Sequence, residues 1–124
     1  MTKKRILVID DELSIREMLK KALELNDFTV ETAANGQLGF EKAVTDDVDL
    51  VIMDIKMPHW NGIEAIGSFE IVKPELKIII LSGYIQEYEG KKLSKAPNVI
   101  ATLKKPFLIK NLLEEIKKGL QNKD

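Results

Sequence analysis

The chain has 124 residues, 44% of them hydrophobic, enough to bury one core and too few for two ordinary domains. Its 19 basic and 20 acidic side chains nearly cancel, which excludes bulk electrostatic attraction to nucleic acid or anionic lipid. The lack of cysteine excludes disulfides, thiolate metal sites and cysteine nucleophiles, and fits a reducing compartment. The longest apolar stretches are strand-sized. Met1 to Arg5 leads straight into one of them rather than into a signal-peptide core, so a soluble, cytoplasmic protein without membrane contact is expected.

Arg5 to Ile9 is a nearly continuous apolar run, the pattern of a strand covered on both faces, and it ends on Asp10, Asp11 and Glu12. Ile15, Met18, Leu19, Ala22 and Leu23 then recur at helical spacing. Phe28 to Thr32 alternates instead, as an edge strand would. Asn35, followed by Gly36, caps a second helix. Val48 to Met53 is a buried strand that delivers Asp54, and Asn61 with Gly62 opens a third helix. Lys77 to Leu81 is another buried strand and delivers the hydroxyl of Ser82. The helical segment from Ile85 to Ala96 is weak, because Gly90 interrupts it and Pro97 closes it. Val99 to Leu103 again runs nearly unbroken and delivers Lys105 and Pro106. Ile109, Leu112, Leu113, Ile116 and Leu120 mark the last helix.

Five strands alternating with five helices, without repeats or linkers, predict one domain over residues 1–124 of the α/β class. Its core is a doubly wound parallel five-stranded sheet with right-handed crossovers and helices on both faces. In such sheets ligands bind beyond the carboxyl ends of the strands, where strand order reverses. Asp10, Asp11, Asp54, Ser82 and Lys105 all fall there. Taken singly, each aspartate reads equally well as a helix-capping or loop carboxylate. Taken together they carry an energetic demand. Two carboxylates about 4 Å apart repel by ~1 kcal/mol in water and by ~4 kcal/mol at the effective dielectric near a protein surface. Three would use a noticeable part of the roughly 5–15 kcal/mol that keeps a small domain folded. A divalent cation or raised pKa values must relieve this. Oxygen ligands without cysteine suit Mg²⁺, which is held by one or two carboxylates together with phosphate oxygens and water. Lys105 adds a point charge for a phosphoryl group.

Six segments, in this order and at this spacing, resemble a response-regulator receiver domain of two-component signalling. They are Val8-Ile9-Asp10-Asp11-Glu12, Ala34-Asn35-Gly36, Asp49 to Pro58, Asn61-Gly62-Ile63-Glu64, Ile80-Leu81-Ser82-Gly83 and Lys104-Lys105-Pro106-Phe107. The resemblance covers essentially the whole chain. It implies a flavodoxin-like fold with strand order 2-1-3-4-5, and a signalling phosphoacceptor rather than an enzyme. The phosphoryl group would come from a phosphohistidine on a sensor histidine kinase or histidine phosphotransfer protein. Its arrival would switch a surface read by a downstream protein target, without direct nucleic-acid contact. Carried over by position, Asp54 is the phosphorylated nucleophile. Asp11 is a direct Mg²⁺ ligand, Asp10 holds the metal largely through water, and the main-chain carbonyl of Lys56 is another ligand. Ser82 would hydrogen-bond the phosphoryl group, and Lys105 would pair with its charge. Similarity to receivers also places Ile15, Pro106 and Phe107 where kinase or phosphotransfer helices dock. The Lys105–Pro106 bond is a candidate for cis, since X–Pro bonds tolerate it and the turn must aim a lysine into the site.

His59 is the single histidine and is read as a solvated loop residue beside Trp60, not as a phosphodonor. Three features depart from the family pattern. Thr102 stands where receivers usually carry an aromatic switch, Asn98-Val99 replaces a common Gly-Ala, and the stretch from Ser82 to Lys105 is about one residue long for the family. With no ring to swing, output is expected to run through the Ser82 loop and the Ile85 to Ala96 segment. Two alternatives stay open. One is the same module excised from a larger DNA-binding or enzymatic regulator. The other is a haloacid-dehalogenase-like Mg²⁺-dependent phosphatase, although Asp54-Ile55-Lys56 lacks the second acid of an Asp-x-Asp nucleophile motif.

Overall fold

The computed structural model describes residues 3–57, 60–83 and 96–121, with 56–57 and 60–63 described by their backbone alone. The expected Ile85 to Ala96 helix, apart from its last residue, and His59 lie outside the described residues. In chain order the elements are β1 (Arg5–Ile9), α1 (Leu13–Glu24), β2 (Thr29–Ala33), α2 (Gly36–Thr45), β3 (Leu50–Asp54), β4 (Lys56–Met57), β5 (Trp60–Asn61), α3 (Gly62–Val72), β6 (Lys77–Ser82), β7 (Val99–Lys104) and α4 (Ile109–Gln121). Among these, no helix is long and apolar enough to cross a membrane.

The main sheet has the order β2-β1-β3-β6-β7 with every pairing parallel, while β4 and β5 form a separate two-stranded antiparallel ribbon. Counted within the main sheet, that is the order 2-1-3-4-5 of a flavodoxin-like fold. The apolar runs are continuous because alternate residues serve opposite faces. Ile6, Val8, Leu50, Ile52, Ile79 and Leu81 pack with Leu19 and Leu23 of α1 and Leu112 and Ile116 of α4. Leu7, Ile9, Val51, Met53, Ile78 and Ile80 pack on the other side with Ala43 of α2 and Ala65 and Phe69 of α3. Gly39 lets α2 lie directly against β1, since a Cβ there would collide with the Ile9 side chain.

Several boundaries move for physical reasons. Phe28, expected in the second strand, gives its N–H to the Leu23 carbonyl and so finishes α1 instead of joining the sheet. The third strand starts at Leu50 rather than Val48, because the Arg5 N–H is taken by the Asp49 carboxylate at 2.8 Å where the ladder would otherwise begin. β3, β6 and β7 each run one residue further than expected, through Asp54, Ser82 and Lys104, since Asp54 pairs with Leu81 and Ser82 with Lys104. The last strand is also not covered on both faces. It is the second edge of the sheet, with Ile100, Thr102 and Lys104 exposed.

Two local devices secure the frame. The amide of Thr29 and the carbonyl of Ala33 turn toward the β1 side, so the carbonyls of Val30 and Thr32 face outward from edge strand β2. Lys20 of α1 reaches the Val30 carbonyl at 3.3 Å, and Lys42 of α2 reaches that of Thr32 at 2.7 Å. At the amino end of the sheet, the buried Asn98 side chain donates to the carbonyls of Lys73 and Leu76 at 3.2 and 2.8 Å. It ties the turn before β7 to the turn before β6.

Candidate phosphoacceptor and metal site

The carboxyl ends of β1, β3, β6 and β7 meet at one edge and bring their terminal residues together. Asp10 follows β1 directly, its N–H donating to the Ala33 carbonyl at 3.2 Å. Its side chain is fully buried. One carboxylate oxygen accepts the Glu12 N–H at 2.9 Å, and the other accepts Lys105 Nζ at 3.1 Å. Asp54, the last residue of β3, is also buried and lies 3.2 Å from the same ammonium. Asp11 is exposed. Carboxylate oxygens of Asp10, Asp11 and Asp54 all lie within 4.8 Å of one another. Ser82 ends β6 and is buried, and its carbonyl accepts the Lys105 N–H at 2.7 Å. The strand carrying the hydroxyl thus holds the turn carrying the ammonium. The Lys105–Pro106 peptide is cis.

The electrostatics follow from this packing. Burial pushes the Asp10 carboxyl above its ordinary pKa, against the opposing pull of the Glu12 N–H and Lys105. Burial also acts to lower the pKa of Lys105. The hydrogen bond and charge of Asp10, joined by Asp54, outweigh it and raise the ammonium above its ordinary value. Lys105 therefore stays charged at neutral pH, 3.6 Å from Glu12 as well. Among the described residues Lys105 pairs with three acids, Asp10, Glu12 and Asp54, and Asp11 adds a further carboxylate to the cluster. Three clustered carboxylates open to solvent through Asp11 form an all-oxygen donor set, which fits a hard divalent cation and no soft one.

The other expected residues are placed less directly. The backbone of Lys56 begins β4 two residues beyond Asp54. Ile15 and Phe107 pack partly against the core on the α1 and α4 side, while Pro106 is exposed. Arg16 was not foreseen: its guanidinium Nη1 donates to the Asp10 main-chain carbonyl at 2.8 Å. Its rarity was the available signal, since it is one of two arginines among 19 basic residues.

A family profile described as the response regulator receiver domain matches residues 6–117. The chain belongs to that family. As a receiver it is similar to the response regulator receiver protein CpdR of Brucella abortus strain 2308, at 34% identity over 117 residues that cover 94% of this chain and 97% of that protein. A CheY-like receiver domain protein from Methanospirillum hungatei JF-1 superposes with a TM-score of 0.92 at 32% identity, covering 97% of this chain and 95% of that one. The response regulator TrrA from Thermotoga maritima, solved in complex with Mg²⁺-BeF, matches with a TM-score of 0.83 at 38% identity, covering 94% and 98%. Receivers are signalling phosphoacceptors, and membership selects that reading over the haloacid-dehalogenase-like alternative.

Proposed function

We propose that Asp54 of this receiver takes a phosphoryl group from the phosphohistidine of a sensor histidine kinase or histidine phosphotransfer protein. The observation that carries this reading is the position of the Lys105 ammonium, 3.1 Å from Asp10 and 3.2 Å from Asp54, beside three converging carboxylates. A carboxylate oxygen of Asp54 attacks phosphorus as the phosphorus–nitrogen bond breaks, giving an acyl phosphate and returning the electron pair to the donor imidazole. Such transfer depends on positioning and charge rather than on a strong base. Lys105 stands where the incoming phosphoryl oxygens need a cation, and the Ser82 hydroxyl at the end of β6 donates to one of them. Asp10, Asp11, Asp54 and the main-chain carbonyl of Lys56 would hold Mg²⁺, which supplies further positive charge when bound.

Phosphorylation then switches a protein-binding surface in a cytoplasmic pathway, with residues 1–124 acting as one receiver unit. The donor docks on Ile15, Pro106 and Phe107. The strongly exposed Leu13 and Leu108 that flank them, 60% and 65% accessible, support a protein contact there.

Incubation with Mg²⁺ and acetyl phosphate tests the reading. Intact mass should show one phosphoryl adduct on the parent and none on Asp54→Asn, whose thermal melt should remain cooperative. An undiminished adduct on the folded variant would remove Asp54 from this role.

A further inference from the structure

We propose that Arg16 is a positioning residue for the metal-binding acids, acting through the Asp10–Asp11 peptide; the inference rests on the Mg²⁺ reading above. Each polar group of Asp10 is held. Its N–H donates to Ala33, its carboxylate oxygens take Glu12 N–H and Lys105, and its carbonyl takes Arg16. Asp11 differs. Its side chain is exposed and makes no hydrogen bond or ion pair among the described residues, so the backbone sets the point from which its carboxylate projects and no partner side chain holds it there. That backbone begins at the peptide plane whose oxygen Arg16 holds. Turning the plane would swing the Asp11 Cα and carry its carboxylate out of the cluster.

The local helix start leans on this contact. Glu12, the N-cap of α1, makes no side-chain capping bond. The chain between the end of β1 and the first turn of α1 is tied by the Asp10 carboxylate on the Glu12 N–H and by Arg16, whose N–H donates to the Glu12 carbonyl at 3.1 Å while its guanidinium reaches back to Asp10. Arg16 is half-buried, which limits the positions open to the guanidinium.

Charge and geometry predict opposite signs, and this makes the inference decidable. A guanidinium beside a dication is repulsive, so an Arg16 acting only as a charge would weaken Mg²⁺ binding, and its removal would tighten it. A clamp does the reverse. Outer-shell partners of metal ligands typically contribute tenfold or more to affinity.

The test is calorimetric titration of the metal-free full chain with Mg²⁺, comparing the parent with Arg16→Met and Arg16→Lys. The Met variant should raise the Mg²⁺ Kd by about tenfold, with the Lys variant, which keeps a donor and the charge, falling between. The amide nitrogen resonance of Asp11 should move in the metal-free Met variant while those of β6 stay in place. Phosphorylation by acetyl phosphate should fall at limiting Mg²⁺ and recover at saturating Mg²⁺, as a purely catalytic loss would not. A folded Arg16→Met with unchanged or tighter Mg²⁺ binding overturns the proposal. Should Arg16→Met fail to fold, an Arg16→Lys with parental Kd and an unmoved Asp11 resonance overturns it equally. A parent that binds no Mg²⁺ would instead defeat the metal reading itself.

Discussion

Asp10 carries the sharpest energetic conflict among the candidate site residues, because its carboxylate is wholly buried yet would have to be ionised to serve the proposed Mg²⁺ site. Burial raises its pKa above the ordinary 3.8, so the native metal-free protein keeps this proton to higher pH than the unfolded chain does. With more protons bound in the native state, stability is greatest below the unfolded value and declines as pH rises through the native one. Urea midpoints of the metal-free protein should therefore fall over that window relative to Asp10→Asn, which has no such proton to lose. Millimolar Mg²⁺ should reverse the fall above the window, since it binds only the ionised native site. Parallel curves for parent and variant would sink this account. Asp10, Asp54 and Lys105 were legible in the sequence because each follows an apolar run that could only be a strand. The Arg16 contact was not, because a side chain reaching a main-chain carbonyl leaves no spacing pattern behind.

At the scale of elements, periodicity located the five strands of the main sheet and the described helices but not the β4–β5 ribbon, whose two-residue strands are too short to show a period, and hydrogen bonding moved the ends. Phe28 looked like the start of a strand because it is aromatic and precedes an alternating run, but its amide serves α1. The last strand looked doubly covered because Val99 to Leu103 is rich in apolar residues, and apolar content cannot tell an edge from a centre. Asn98, a departure from the family pattern, proves to be a staple between two turns. Asn98→Ala would take the side-chain donor from the Leu76 carbonyl and leave the Lys73 carbonyl with the Leu76 N–H alone, and should lower stability by about 1–3 kcal/mol in urea titration. Asn98→Asp should be worse than Ala, because it sets a carboxylate oxygen against two carbonyl oxygens. An Asp variant as stable as the parent would show that the amide donor is dispensable.

For the whole molecule, class and sheet order followed from strict alternation and family resemblance, while the way the edge of the sheet is covered is visible only in the folded structure. Lys20 and Lys42 approach β2 from helices on opposite faces and occupy both of its outward carbonyls. An open parallel sheet otherwise offers such a row to any extended chain that drifts past. Lys20→Met with Lys42→Met should leave the fold intact, because neither side chain belongs to the core, yet make the protein associate through β2 as concentration rises. Sedimentation velocity over a concentration series would detect this, and a double variant that sediments as the parent does throughout would show that the lysines are bystanders. The consequence reaches beyond stability. A signalling protein must meet many partners briefly and release them all, and two ammonium groups seated on β2 would act as a lock against self-templating, leaving contact to surfaces the phosphoryl group can govern.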